Sequence, residues 1–481
     1  MRNTLEKKAS SSKKALRITI PRVVIAGLKG GSGKTTLSIG LISAIRQKGI
    51  AVAPFKKGPD YIDAGWLASA SGIPCYNLDP FLIGEERALS SFISRTGGAC
   101  PLAIIEGNRG LYDGMDIEGT YSTAALSKLL KSPVVLIMDC TKMTRTAAAI
   151  VLGVKRFDPD VRLRGVILNQ VAGSRHESVV RDSIERHCGI PVIGAIPRLT
   201  DAAFPERHMG LTPHQEHPKV DEAISKTREI IKRYVNVDAV LGIAAEAEPL
   251  LIRKKAMPQA AVMSSLRVGV IKDSAFQFYY PENFEELQRR GAVLIEVSAL
   301  KDRTLPEMDA LYIGGGFPET HAIALAKNAR FKKALSKAVE GGLPVYAECG
   351  GLMYLGESLT VRGRTYPMAG VLPVSFSLEE KPQAHGYTIV EVRRANPFYN
   401  KGTVLRGHEF HYSRVSAAGK RRGVFMAFNM KRGTGIRDKA DGLCYKNVFA
   451  TYTHLHALGA PEWADGMLRA AEGFRGRCPR Q

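Results

Sequence analysis

Two stretches of the chain hold residue types spaced for chemistry. The first is Lys29-Gly30-Gly31-Ser32-Gly33-Lys34-Thr35-Thr36. Glycines let successive backbone N–H groups turn inward around phosphate oxygens. Between a strand and a helix, such a loop also gains the positive end of the helix. Gly30, Gly31, Ser32, Gly33, Lys34, Thr35 and Thr36 are therefore expected to bind ATP. Lys34 would reach the β- and γ-phosphates, and Thr35 would hold Mg²⁺. Gly27 lies one residue further from Gly33-Lys34 than the common G-x-x-x-x-G-K spacing, so the loop is a variant. Downstream, Glu106 ends an apolar run, where a metal-binding carboxylate belongs. Asp113 follows in a Gly-rich loop, where an Asp is also a common turn former.

The second stretch surrounds Cys349. An apolar run over 343–348 leads directly into Cys349-Gly350-Gly351 and then a helix-like Leu-Met-Tyr-Leu. Strand, nucleophile at a sharp turn, then helix is a nucleophile elbow in thiol form, with the helix N-terminus favouring a thiolate. A base is needed, and Tyr452-Thr453-His454-Leu455-His456 offers two histidines. In a strand they share a face, so either could meet Cys349. Oxyanion donors are expected from the backbone of Gly315 and Gly316, which follow a predicted strand, together with Gly350. His408-Glu409-Phe410-His411 has its histidines three apart, not the four of the His-Glu-x-x-His zinc motif.

Elements must position these groups. Apolar runs at 22–27, 50–55, 102–106, 134–139, 165–169 and 191–196 predict short buried strands, with a helix over 35–48. Such runs separated by helices imply a parallel sheet covered on both faces. A second series follows at 266–271, 293–297, 310–313 and 344–348, and 386–393 and 448–456 are richer in β-formers. The fold class is α/β with two doubly wound domains. Residues 1–20 are read as a basic flexible tail, 21–240 as the ATP-binding domain, 241–265 as a linker and 266–475 as the thiol domain.

With 481 residues, 45% hydrophobic and 24% charged, the chain is neither a disordered polymer nor a collagen. No uninterrupted apolar stretch approaches the roughly 18 residues of a membrane span. The net charge of +22 favours anionic ligands without choosing among nucleic acid, lipid and small polyanions. The seven cysteines include no C-x-x-C pair, which fits a reducing cytoplasm. The basic N-terminus is not followed by the apolar core of a secretory signal.

In order along the chain, KGGSGKTT, PFKKGPDYIDAGW, IIEGNRGLYDG, GGGFPE, AECGGLMY, GHEFHYS and YTHLH resemble the cobyrinic acid a,c-diamide synthase family. The resemblance covers nearly the whole chain. It implies a dethiobiotin-synthetase-like, P-loop NTPase-like parallel-sheet domain, then a class I glutamine amidotransferase-like (flavodoxin-like) domain. It also implies Cys349 as the nucleophile, His454 as its activator, and Asp60, Tyr61, Asp63, Glu106 and Asp113 at the ATP, metal and tetrapyrrole site. Asp60 joins Thr35 and Glu106 as a metal ligand. By the same resemblance Tyr61, Asp63 and Asp113 would contact substrate, as would Arg207 and His208 of a further family-like segment; for Arg207 and His208 a structural role stands equally. Ordinary triads carry a Glu two residues after the histidine, but here that place is His456, which leaves the third member open.

The implied partners are glutamine and an acidic tetrapyrrole, cobyrinic or hydrogenobyrinic acid, with no nucleic acid and no membrane; a homodimer stays open. Nickel-sirohydrochlorin amidation and cobyric acid synthesis use the same parts. Lys29 before the glycines resembles partitioning ATPases, which keeps a dimerising ATP switch as the alternative from another class.

Overall fold

The computed structural model describes residues 16–96, 101–199, 206–207, 210–252 and 265–477. The described residues form two compact units that are not contiguous in sequence. The first draws on 1–53, 93–201 and 225–259, the second on 54–92, 202–224 and 260–481.

In the first unit, Leu102–Glu106, Arg22–Gly27, Val134–Asp139, Leu163–Val171 and Val192–Pro197 lie side by side in that order, all parallel. Val23, Val24, Ile25, Ile104, Ile105 and Val135 are fully buried, as strands covered on both faces must be. The helix Lys34–Gln47 starts directly after the Gly-rich loop. Two expectations need correction. Leu16–Ile18, read as tail, pairs antiparallel with Leu250–Ile252, read as linker. The helix Val237–Ala245 also runs into that supposed linker. Short apolar triplets among charged neighbours give weak signals alone, and a partner strand distant in sequence rescues them.

In the second unit a ten-stranded sheet runs Val293–Val297, Arg267–Ile271, Ala310–Ile313, Val345–Glu348, Val448–Thr451, Ala440–Tyr445, Phe425–Arg432, Ala384–Val392, Val404–His411, His454–Leu455. The first five are parallel and the rest antiparallel. One apolar core holds Ile313, Val345, Ala347 and Leu352, another Tyr312, Tyr346, Phe449 and Trp463. Ala310–Ile313 and Val345–Glu348 end together, so the loops after them open onto the carboxyl edge of the sheet, where α/β proteins place their sites. From the N-terminal half, Phe55–Lys57 pairs in parallel with Tyr76–Leu78 within this same unit.

Candidate active sites

Cys349 takes φ 45° and ψ −97° between the strand Val345–Glu348 and the helix Gly350–Leu355. A positive φ in a side-chain-bearing residue is strained and must be held from outside. Here Cys349 N donates to Thr451 O at 2.7 Å and Met353 N donates to Cys349 O at 3.0 Å. The thiol is 5% exposed. Burial pushes its pKa up, Glu319 adds to the rise, and a hydrogen bond from the Gly350 N–H only partly opposes them. The expected thiolate at a helix N-terminus is thus overruled: six residues of helix do not offset desolvation. A thiol held that high rests protonated, so any attack by it would need a base.

His454 is built around a carboxylate. His454 Nδ1 lies 3.2 Å from Glu348 Oε2, with both side chains almost fully buried. Glu348 also accepts from the Tyr312 hydroxyl at 3.1 Å and from Leu455 N at 3.3 Å. A carboxylate oxygen accepts, which makes Nδ1 the donor of this contact. Glu348, directly before Cys349, is thus the carboxylate on His454, where the position two residues after the histidine offers only His456. His456 goes elsewhere, to Glu282 Oε1 at 3.5 Å. The strand is only His454–Leu455, so the alternation expected to bring both histidines to one face does not extend to His456.

Asp441 is a further residue missed from sequence. Its buried carboxylate accepts from Thr451 Oγ1, Tyr452 N, Thr453 N, Thr453 Oγ1 and Gly442 N. It thereby fixes the segment joining the carbonyl that anchors Cys349 to His454. No feature of an isolated Asp at a strand end could have signalled this.

Of the three glycines expected as oxyanion donors, Gly350 follows Cys349 directly and Gly316 lines a pocket with it. A Cβ on Gly315 would come within 2.6 Å of His454 Cε1, and one on Gly350 within 2.9 Å of Gly316 N. The imidazole and the turn need that closeness. Gly316, Phe317, Glu319, His411 and Ser413 line one small pocket with Cys349.

Tyr61, implied as a substrate contact, stands at this thiol site. Its half-buried ring stacks on Phe278 at 5.2 Å and lies 5.4 Å from the ring of His454. His408 stacks on the other imidazole at 4.9 Å, and its Nδ1 lies 3.3 Å from Tyr280 Oη. Burial, then the neighbouring His454, hold His408 well below the usual imidazole range, so it is neutral. Among the described residues no group of three His, Cys, Asp or Glu side chains is placed to hold a metal ion. Asp63 pairs with buried Lys56 at 2.6 Å. Asp60 caps the helix Tyr61–Ser71 by accepting from Asp63 N at 2.8 Å. Burial and Asp63 raise its pKa to about 6.

In the first unit Lys34 Nζ donates to Lys29 O at 3.0 Å and Arg109 O at 2.8 Å, which folds the Gly-rich loop around the ammonium. Ser32 Oγ donates to Lys29 O, and Asn169 Nδ2 braces Ser32 O at 3.0 Å. Asn169 has no sequence signal beyond closing the apolar run over 165–169. Thr35 Oγ1 donates to Glu106 Oε1 at 2.8 Å, so hydroxyl and buried carboxylate converge. Asp113 Oδ2 accepts from Gly110 N at 2.9 Å and closes a turn of its own loop. Lys29 Nζ lies 3.8 Å from Asp139 at the surface. Arg207 is placed only as backbone, in the short strand Glu206–Arg207; His208 lies outside the described residues.

Comparison with known proteins matches this layout. Residues 23–211 match the CobQ/CobB/MinD/ParA nucleotide binding domain, and 267–462 match the CobB/CobQ-like glutamine amidotransferase domain. The cobyrinate a,c-diamide synthase of Magnetococcus marinus is 41% identical over 455 residues, which is 94% of this chain and 97% of that one. The enzyme of the same name from Archaeoglobus fulgidus is 43% identical over 95% of this chain and 99% of its own. That of Listeria innocua is 39% identical over 92% and 97%. Full-length similarity at this level, with both domain matches in order, means that the chain belongs to the cobyrinate a,c-diamide synthase family.

Proposed function

We propose that this chain converts two acetate carboxylates of an acidic corrin-type tetrapyrrole, cobyrinic or hydrogenobyrinic acid, to amides, using ATP and glutamine. One observation carries the proposal: a single chain holds a Gly-rich loop closed around Lys34 and Thr35 and, in its second unit, a buried Cys349 directly after the Glu348 that orients His454.

The two chemistries need each other. A carboxylate does not exchange hydroxide for ammonia, because hydroxide leaves poorly. Transfer of the γ-phosphoryl group of ATP gives an acyl phosphate and ADP, and ammonia then displaces phosphate. Backbone N–H groups of Gly30–Lys34 and the Lys34 ammonium would balance the charge that spreads over the transferred phosphoryl oxygens. The Thr35 hydroxyl and Glu106 carboxylate are hard oxygen donors brought together, and they fit Mg²⁺. When bound, Mg²⁺ neutralises phosphate charge. At the other centre His454 Nε2 takes the thiol proton as Cys349 attacks the glutamine amide carbon. Gly315, Gly316 and Gly350 would offer N–H groups to the oxyanion. The protonated imidazole returns a proton to the departing nitrogen, which leaves as ammonia, and water cleaves the γ-glutamyl thioester to glutamate. The excess positive charge suits a substrate rich in carboxylates. Nucleic acid and membrane have no role in this scheme, and its substrates belong to the cytoplasm. Among the described residues no helix is long and apolar enough to cross a membrane.

The test incubates the purified protein with ATP, Mg²⁺, glutamine and, separately, cobyrinic acid, hydrogenobyrinic acid and nickel-sirohydrochlorin. Mass spectrometry counts the amides formed. Two on cobyrinic or hydrogenobyrinic acid are expected. Two on nickel-sirohydrochlorin alone would reassign the substrate. No amide on any of them would overturn the proposal.

A further inference from the structure

His411 is the one imidazole lining the pocket of Cys349, and the scheme above gives it no task. It is 5% exposed. Its Nδ1 lies 2.7 Å from Ser413 O. A carbonyl oxygen only accepts, so Nδ1 must carry the hydrogen. Burial lowers the pKa of the ring to about 4, so at neutral pH Nε2 is a bare lone pair. Among the described residues that buried nitrogen has no hydrogen-bond partner. The Glu409 carboxylate is 4.0 Å away, and its oxygens already accept N–H groups from Thr434 and Gly435.

The ring cannot turn away to satisfy itself. It stacks on Tyr452 at 3.6 Å and 6°, and the Tyr452 hydroxyl is tied to Ser413 Oγ at 2.8 Å. A buried acceptor left unmet is costly, and it is normally kept for a partner that arrives. The partner must bring an N–H donor into a pocket beside a nucleophilic sulfur. Glutamine brings two kinds, its carboxamide and its α-ammonium.

We propose that His411 Nε2 binds glutamine by accepting an N–H from it in the thiol pocket. This rests on Cys349 being a glutaminase nucleophile. A lone pair there also disfavours a carboxylate, so the site would hold glutamine in preference to product glutamate if the carboxamide is the donor.

Glutamate release by the full-length protein tests this. His411→Phe keeps a flat ring on Tyr452 but has no acceptor. His411→Gln can place an oxygen where Nε2 stood. The Phe variant is expected to raise KM for glutamine about tenfold, and the Gln variant to recover most of that loss. With glutaramic acid, which lacks the α-amino group, a persisting Phe penalty assigns the carboxamide as donor and a vanished one assigns the ammonium. A KM for the Phe variant within about twofold of wild type overturns the proposal. So does a fall in kcat at unchanged KM with a shifted pH profile, which would make His411 a base. Should the Phe variant misfold, the ¹⁵N resonance of Nε2 in otherwise unaltered Cys349→Ala protein decides: it moves upfield on adding glutamine if the proposal holds and stays put if it fails. Wild-type protein that releases no glutamate would overturn the glutaminase assignment itself, whereas an active wild type with an indifferent Phe variant sinks only the role of His411.

Discussion

Glu348 holds the Nδ1 side of His454, so Cys349 and the carboxylate that orients this imidazole are neighbours in sequence. The strand Val345–Glu348 delivers both, one before the turn and one on it. This sets a clear expectation for Glu348→Gln. A glutamine amide can donate to Nδ1 and so select the tautomer whose Nε2 is already protonated. Glutamine-dependent turnover should fall by about 10²-fold or more. Steady-state glutamate release measures it, and a loss of under about threefold would remove Glu348 from the mechanism.

Cys349→Ala should abolish glutamine use while amidation with ammonium chloride continues, because activation of the carboxylate needs no thiol. Mass spectrometry of the tetrapyrrole with each nitrogen source checks this. Failure with ammonia as well would show that the two chemistries are not separable.

Gly315→Ala places a methyl where only 2.6 Å separates it from His454 Cε1. The imidazole must shift by a substantial part of an ångström, and misplacement on that scale can cost about 10²-fold in rate. Glutaminase kcat should drop by about tenfold or more, with the melting temperature little changed. An unaltered kcat would mean that the ring is free to move.

Asp60 gives a pH signature. Burial and Asp63 raise it to about 6 from an ordinary 3.8, so the folded chain holds this proton more tightly than the unfolded chain. Its contribution favours folding at low pH and is lost as pH rises from about 3.8 to about 6. Asp60→Asn keeps a good helix cap without the buried charge. In nucleotide-free protein it should be the more stable form above pH 6, by up to about 3 kcal/mol, with the gap closing toward pH 4. Denaturant melts across that range decide, and a gap that does not change with pH would contradict the sign.

What was legible in the sequence was local. Parallel strands are continuous apolar runs, and Arg22–Gly27, Leu102–Glu106, Val134–Asp139 and Val293–Val297 have the bounds that such runs predict. The elbow at Cys349 is legible for the same reason, since strand, nucleophile and glycines are adjacent. What was hidden is pairing at long range. Glu348 reads as the last residue of a strand until His454 arrives from more than a hundred residues away. Asp441 reads as a turn residue until Thr451, Tyr452 and Thr453 close on it. Leu16–Ile18 reads as part of a charged tail until Leu250–Ile252 lies beside it.

The ring of Tyr61 against Phe278 and His454 bears on how this chain can be cut. A fragment beginning near residue 260 would hold every group of the thiol chemistry yet lack the aromatic wall supplied from far upstream. Its imidazole would open to water on that side, and Phe278 and Tyr280 would present naked apolar faces prone to clumping. The liberated half is therefore a poor glutaminase and a poor soluble domain, and the gene has no clean seam where its two matched segments meet.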